Sequence, residues 1–499
     1  MKKIISIILG VILCLALLLS CTQDEDHGRT NVPDDNGIVA TEAPEVPFPE
    51  PNVPERDFGG INFNVLYPWW GTFPTELFGE EDVGGVLNDA LWRRNRKIEG
   101  QLNINFNEIV RGQEGEDVLR DMAILTRQSV MAGDGAYDLV FIHPMADLAT
   151  FAQGQLIRNL HRIPYINLDQ PYWNQALRET LEINGILLYG ANDMIIPSPS
   201  AILFNKSILE EHQLSCPYEY VRAGQWTWDR FSEMARQVSR DLTGDGTFGV
   251  EDLYGFSVLL DGSGMISMMH ASNQFITRFD EDGRPVIDVM SERLVSLINL
   301  LYDLIWVGNQ TFTWTTDIWS DPHLAELHRN FFPRGHTLFT IGTPGTAASQ
   351  ELRAMEVDFG ILPYPKFDEA QERHISLNHA GLFVVPADVH NPEMVGIVLE
   401  LLGAESMRYT IPAYFEVLLT HQGVRDDDSL EMMEIIFSNL VYDIGYNFSH
   451  FTNLTYIVPR ILAQRSTDVA SFYEANAPVF QQALDRAFDA IMEYQDLDF

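Results

Sequence analysis

The chain has 499 residues, too many for a single core, so two or three domains are expected. Its 32 Lys and Arg against 71 Asp and Glu leave a net charge of −39, which argues against a nucleic-acid binder without forbidding a small local basic site, because that affinity comes mostly from cations meeting phosphates. A composition 46% hydrophobic and 11% aromatic excludes wholesale disorder, and three cysteines are too few for a disulfide framework or an ordinary Cys-based zinc site.

Met1-Lys2-Lys3 is a short positive start, followed over residues 4–19 by an apolar run shorter than a membrane span. The run ends in Leu18-Leu19-Ser20-Cys21, which resembles a bacterial lipobox. Residues 1–20 are therefore expected to be a lipoprotein signal peptide and Cys21 the lipidated residue, with the protein held on the outer face of the cell membrane. Residues 21–57 read as a disordered tether: positions 22–57 hold ten acidic residues and six prolines, too polar to bury a core and kept extended by like charge.

Beyond the tether, Ile61-Asn62-Phe63-Asn64-Val65 alternates as a strand and runs into Tyr67-Pro68-Trp69-Trp70-Gly71, a strand-end loop. A helix over 87–100, a strand at 104–106, a helix over 118–132 and a buried strand over 137–142 follow. This alternation predicts an α/β sheet covered by helices. A hairpin turn at Asn184-Gly185 precedes a second α/β region opening at 201–204. Thr227 caps a helix over 228–240, and Ser291 caps one that ends before Gly308. Strands recur at 337–341, 359–362 and 382–385; from Asn391 onward the pattern is helical, ending in a helix over 478–494.

Several of these segments together resemble a family. Tyr137-Asp138-Leu139-Val140, then Gly154-Gln155-Leu156, is similar to the strand and helix end of extracellular solute-binding proteins, the group of maltose-type sugar receptors of ABC importers. Asn184-Gly185-Ile186-Leu187-Leu188-Tyr189-Gly190 resembles its hairpin, Leu203-Phe204-Asn205-Lys206 its aromatic-Asn-Lys motif, Trp226-Thr227-Trp228-Asp229 its helix start, and Phe359-Gly360-Ile361-Leu362-Pro363 its later strand. The motifs keep the family order across roughly 58–413. The resemblance implies an α/β, bilobal, periplasmic-binding-protein-like fold of type II, with two lobes joined by a hinge and a helical C-terminal part. By analogy, lobe 1 is residues 58–195 plus about 381–404, and lobe 2 residues 196–375 plus about 405–499. A monomer capturing a carbohydrate in the cleft and delivering it to ABC permease subunits is implied, with no bond chemistry and no required cofactor.

Candidate ligand contacts follow from that topology. Tyr67, Trp69 and Trp70 close the first strand, where flat aromatics suit the apolar faces of sugar rings, although tryptophans there equally suit the lobe core. His143 ends the 137–142 strand; Asn192 and Asp193 fall at the expected lobe crossing; Asp261 and Thr343 lie in lobe-2 loops. Trp173, Trp314 and Trp319 read as core or surface residues. Around Thr343-Pro344-Gly345 the tryptophan of maltose-type receptors is missing, which leaves the sugar's identity open.

Residues 241–252 are similar to an EF-hand loop, with Asp241, Thr243, Asp245 and Thr247 at oxygen-bearing positions, Gly246 at the turn and Asp252 at the end. A structural calcium ion and a plain Asp-Gly turn both fit that pattern. Two other functions stay open: a secreted carbohydrate hydrolase, for which any of many carboxylate pairs would serve, and a surface sensing or adhesion protein on the same fold. Against an enzyme, the chain carries no H-E-x-x-H, G-x-S-x-G, G-x-x-x-x-G-K-[ST] or G-x-G-x-x-G.

Overall fold

The structure is a computed structural model describing residues 48–69, 77–81, 83–112, 120–145, 148–346, 349–420, 426–448 and 454–499. The predicted signal peptide, Cys21, most of the tether and Trp70 lie outside the described residues.

In chain order the strands are β1 (Ile61–Pro68), β2 (Ile104–Arg111), β3 (Leu139–Ile142), β4 (Ala201–Asn205), β5 (Tyr254–Leu259), β6 (Thr277–Phe279), β7 (Pro285–Ile287), β8 (Thr311–Trp314), β9 (Thr337–Gly342), β10 (Phe359–Leu362), β11 (Ser376–Leu377), β12 (Leu382–Val384) and β13 (Leu440–Val441). One sheet has the order β12-β3-β1-β2 and another β10-β4-β9-β5-β8. In the first, β1 runs parallel to β2 and β3, and β12 runs antiparallel to β3. In the second, β5 runs parallel to β8 and β9, and β4 runs antiparallel to β9. The two sheets thus share a common part, three adjacent parallel strands with the earliest in sequence in the middle and then an antiparallel strand, to which the second sheet adds β10, antiparallel to β4. The shared antiparallel strand is in each case the segment just past a chain crossing, β4 after residue 196 and β12 after residue 377.

Each sheet has its own core. Phe63, Val65, Phe141, Leu382, Val384 and Ile397 belong to the first, and Ile202, Phe204, Trp226, Trp228, Phe256 and Phe339 to the second. Trp226 and Trp228, the ends of the Trp-Thr-Trp motif, are fully buried; their indole N–H groups donate to Pro363 O at 2.9 Å and Ser272 Oγ at 3.0 Å. An indole buried in this way keeps its polar edge satisfied while filling volume. Thr227 Oγ1 and Ser291 Oγ cap the Trp228–Val238 and Glu292–Trp306 helices as expected, accepting from Arg230 N and Leu294 N. Asn184 and Gly185 take φ of 50° and 77° between bridged Ile183 and Ile186, the left-handed pair that a two-residue hairpin requires.

Three expectations need correction. Residues 48–57 are not loose tether. Val53 packs on the first core, Arg56 Nε donates to Glu393 Oε1 at 2.8 Å, and Arg408 lies over the Phe48 ring while bonding Glu50. The last helix starts at Val469 rather than Pro478: Asp468 caps it by accepting from Ser471 N, and Pro478 lies inside it. Finally, the C-terminal part is shared between lobes. Phe480 belongs to the second core, but Leu484, Phe488, Ile491 and Tyr494 belong to the first.

Candidate functional site

The two lobes meet where the chain crosses between them. The end of β9 adjoins the start of β4, since Gly342 pairs with Ala201. Ser200, just before it, meets His379 across the return crossing, with its hydroxyl 2.8 Å from His379 Nε2. Ser267 Oγ from the Ser263–Ala271 helix lies at the same distance from that nitrogen and 2.8 Å from Ser200 Oγ. Tyr446 OH sits 2.6 Å from His379 Nδ1. From the end of β3, Pro144 O accepts from Asn447 Nδ2 at 3.0 Å. Phe448 meets Tyr189 edge to face at 5.9 Å. Residues from both lobes therefore meet in one polar floor between the sheets.

The two histidines at the floor are held uncharged, beside the buried His270–Asp443 pair at 2.9 Å, whose carboxylate His270 helps to hold below its ordinary range. Burial pushes His379 down to about 3, with His270 and His143 adding smaller repulsive contributions, and burial pushes His143 down to about 4. Both imidazoles are therefore uncharged at neutral pH and offer one donor and one acceptor each. Nδ1 of His143 lies 3.2 Å from Met145 N as its acceptor. Asp193, half-buried at the first crossing, is pushed up to about 8 by burial. Burial thus favours its protonated form, which can both donate and accept.

The Ser200–His379 contact has the distance of a nucleophile–base pair but not its arrangement. Ser200 is buried and shares its hydroxyl with Ser267, and His379 presents its second nitrogen to a phenol rather than to a carboxylate. This network joins the lobes; it does not assemble a reaction centre.

The other expected contacts are distributed differently. Tyr67 is buried in the first core with its ring tilted against Phe141 at 5.3 Å. Trp69 is half-buried at the end of β1, and its backbone N–H donates to Arg111 O at 2.9 Å. Asn192 is a correction: it is buried, donating from Nδ2 to Leu399 O and accepting at Oδ1 from Met194 N, both at 3.0 Å. Its amide braces the crossing and is buried away from the surface. Asp261 is exposed past β5, accepting from Thr316 N at 2.8 Å and Thr316 Oγ1 at 2.7 Å. Thr343 closes a turn with Thr346 past β9. Along the chain, His143, Trp69, Asp261 and Thr343 directly follow or closely follow β3, β1, β5 and β9, and Asp193 lies at the first crossing. Ser200, His379, Tyr446 and Asn447 were missed; the polar pair Asn378-His379 at the start of the apolar β12 segment was their visible signal.

In the 241–252 loop the carboxylates turn onto the loop's own amides. Asp241 accepts from Gly244 N at 2.7 Å, Gly246 N at 2.9 Å and Thr243 Oγ1 at 3.0 Å. Asp245 accepts from Thr247 N and Oγ1, both at 2.7 Å, and buried Asp252 accepts from Leu242 N at 2.8 Å and Gly249 N at 2.7 Å. These bonds hold Asp241 and Asp245 below their ordinary range. Among the described residues no group of three or more His, Cys, Asp or Glu side chains is placed to hold a metal.

This architecture, two α/β lobes each with an antiparallel strand just past a chain crossing, is similar in fold to solved solute-binding proteins of ABC transporters. The chain is similar in fold to an ABC substrate-binding protein from Listeria monocytogenes in complex with cycloalternan, at 14% identity over 87% of this chain and 99% of that one, with a TM-score of 0.52. An ABC transporter solute-binding protein from Thermotoga lettingae bound with α-D-tagatose superposes at a TM-score of 0.51 and 15% identity, covering 87% and 100% of the two chains. The galacto-N-biose/lacto-N-biose I-binding protein of the ABC transporter from Bifidobacterium longum, in complex with lacto-N-biose, gives 0.54 at 12% identity over 88% and 98%. No family model matches the sequence, and no curated protein matches it either. Among the described residues no helix is long and apolar enough to cross a membrane.

Proposed function

We propose that this protein captures a neutral carbohydrate between its lobes and passes it to the permease of an ABC importer, without making or breaking a bond. The observation that carries this reading is the polar floor with its uncharged histidines. Burial holds the His143 ring uncharged and favours the protonated form of the Asp193 carboxyl, while His379, its nitrogens taken by Ser200, Ser267 and Tyr446, adds no charge; such a surrounding suits hydroxyl groups and disfavours anions. The half-buried Trp69 at the end of β1 supplies an indole for a sugar's apolar face. The sugars named with the three similar structures support the ligand class. Closure then follows from the higher affinity of the closed form, which shifts the population of lobe arrangements.

A thermal-shift screen of neutral sugars, sugar acids, peptides and polyamines tests the reading. Neutral saccharides should raise the melting temperature and Asp193→Asn should retain most of the effect, because a neutral amide replaces a neutral carboxyl. Stabilisation by acidic or cationic compounds alone would overturn it. We further propose attachment to the outer face of the cell membrane through lipid on Cys21. An unmodified Cys21 thiol in membrane fractions, read by mass spectrometry, would count against that anchor. A structural calcium ion in the 241–252 loop is proposed on its side-chain spacing alone, in competition with amides for the same carboxylate oxygens.

A further inference from the structure

The chain also passes between the lobes inside a helical run. Pro392–Glu405 continues into the π-helical turn Ser406–Thr410 and then Ile411–Thr420, taking the backbone from Met407 in the first core to Ile411 in the second. A π-helical turn interrupts the regular ladder of backbone bonds, so the run gives most easily there. Thr410 Oγ1 is buried in this joint with no hydrogen-bond partner among the described residues.

The chain has 32 Lys and Arg against 71 Asp and Glu, yet three of its cations gather on this joint. From the Val86–Leu102 helix, Arg94 Nη1 donates to Ser406 Oγ at 2.9 Å. Lys97 Nζ donates to Glu405 Oε1 at 2.7 Å and lies 5.6 Å from the centre of the Tyr409 ring. The third cation, Arg408, belongs to the turn itself. Its guanidinium lies 5.6 Å from the centre of the Phe48 ring, its Nη2 donates to Glu50 Oε1, and its Nη1 donates to Glu405 Oε1 at 3.5 Å. Phe48 and Glu50 are exposed, and one such ion pair alone would count for little. Here it is backed by the ring and by a second hold further along the same segment.

That second hold is on the same helical run. Val53 packs on the first core, and Arg56 Nε donates at 2.8 Å to Oε1 of Glu393, in the first turn of the Pro392–Glu405 helix. Glu393 and Arg408 are 15 residues apart, about 22 Å along a helix. Glu50 and Arg56 are six apart with Pro51 and Pro54 between them, about 19 Å in extended form. The two lengths agree within the reach of a side chain, so the segment lies along the helix and grips it at both ends. Its prolines leave less chain entropy to lose on being held there.

We propose that residues 48–56 are a strap that pins the Ser406–Thr410 joint to lobe 1 and keeps this passage between the lobes from loosening. The strap acts whatever solute the protein takes, so it does not rest on the carbohydrate reading.

Hydrogen–deuterium exchange of the full chain without added ligand, resolved by mass spectrometry, tests it. Phe48→Ala combined with Glu50→Ala removes the grip at two exposed side chains. Exchange over residues 406–411 should then speed up by about threefold or more, while β1 and β3 exchange as in the wild type. Arg408→Ala should give a similar increase, and the triple variant little more than either, because all three changes break one contact. Unchanged exchange over 406–411 in the double variant overturns the strap. Equal acceleration in β1 and β3 also overturns it, because lobe 1 would then have loosened as a whole. So does a triple variant whose increase is the product of the two separate ones, since Arg408 would then stiffen the joint without residues 48–50.

Discussion

His379 makes a testable acid-sensitive point in the interior. Its nitrogens face Ser200, Ser267 and Tyr446, with His143 and His270 close enough to disfavour its charge. In the unfolded chain it takes up a proton near pH 6.5, but in the fold burial holds it down to about 3. Between those values the unfolded state binds more protons, so this contribution is present above 6.5 and is lost as pH falls toward 3. His379→Gln keeps hydrogen bonding but removes the titration. The variant should show a shallower fall of melting temperature between pH 6.5 and 4 than the wild type. Parallel profiles would mean that the imidazole is not kept neutral by the fold. In the sequence only the polar Asn378-His379 pair ahead of the apolar β12 segment hints at this residue, and it does not reveal the join. Its partners stand 179 and 67 positions away, so the contact exists only after the lobes have packed.

At the level of elements, apolar periodicity and caps were legible because they act within a few residues. β1, β3 and β10, the Thr227 and Ser291 caps and the Asn184-Gly185 hairpin all follow from neighbours in the chain. The final helix was misjudged because Pro478 reads locally as a first-turn proline. The preceding turns are instead held by tertiary burial of Val469 and Ala477. The 241–252 loop shows the limit of a motif: the spacing of its oxygen side chains suits a cation, yet the same oxygens accept from amides. With calcium, the melting temperature should rise above that in chelator, and Asp241→Ala should abolish the difference. Identical melting in calcium and chelator would reject the ion and leave the hydrogen bonds as the loop's fastening.

The whole molecule is joined by more than strand crossings. The Pro392–Glu405 helix passes through a π-helical segment, Ser406–Thr410, into Ile411–Thr420, with Met407 in the first core and Ile411 in the second. The Val469–Met492 helix makes the reverse passage between Phe480 and Leu484, close after Pro478. Each bridging helix therefore carries an irregular hydrogen-bond pattern near its passage, where bending costs least. Pro478→Ala would restore the bond to the carbonyl of Glu474, stabilising the helix by up to about 3 kcal/mol and slowing amide exchange over residues 478–482. Unchanged exchange there would show that the proline does not loosen the bridge.

The exchange of antiparallel strands also constrains how the protein can be made. The first sheet lacks β12 until residue 384 is available, some 240 residues after β3 has emerged. At 5–20 residues per second that is a wait of roughly 10–50 s during which the edge of β3 stands unpaired. A newborn chain of this design is therefore exposed to mispairing for as long as its second half is still being synthesised, and it gains from an escort that keeps that edge covered.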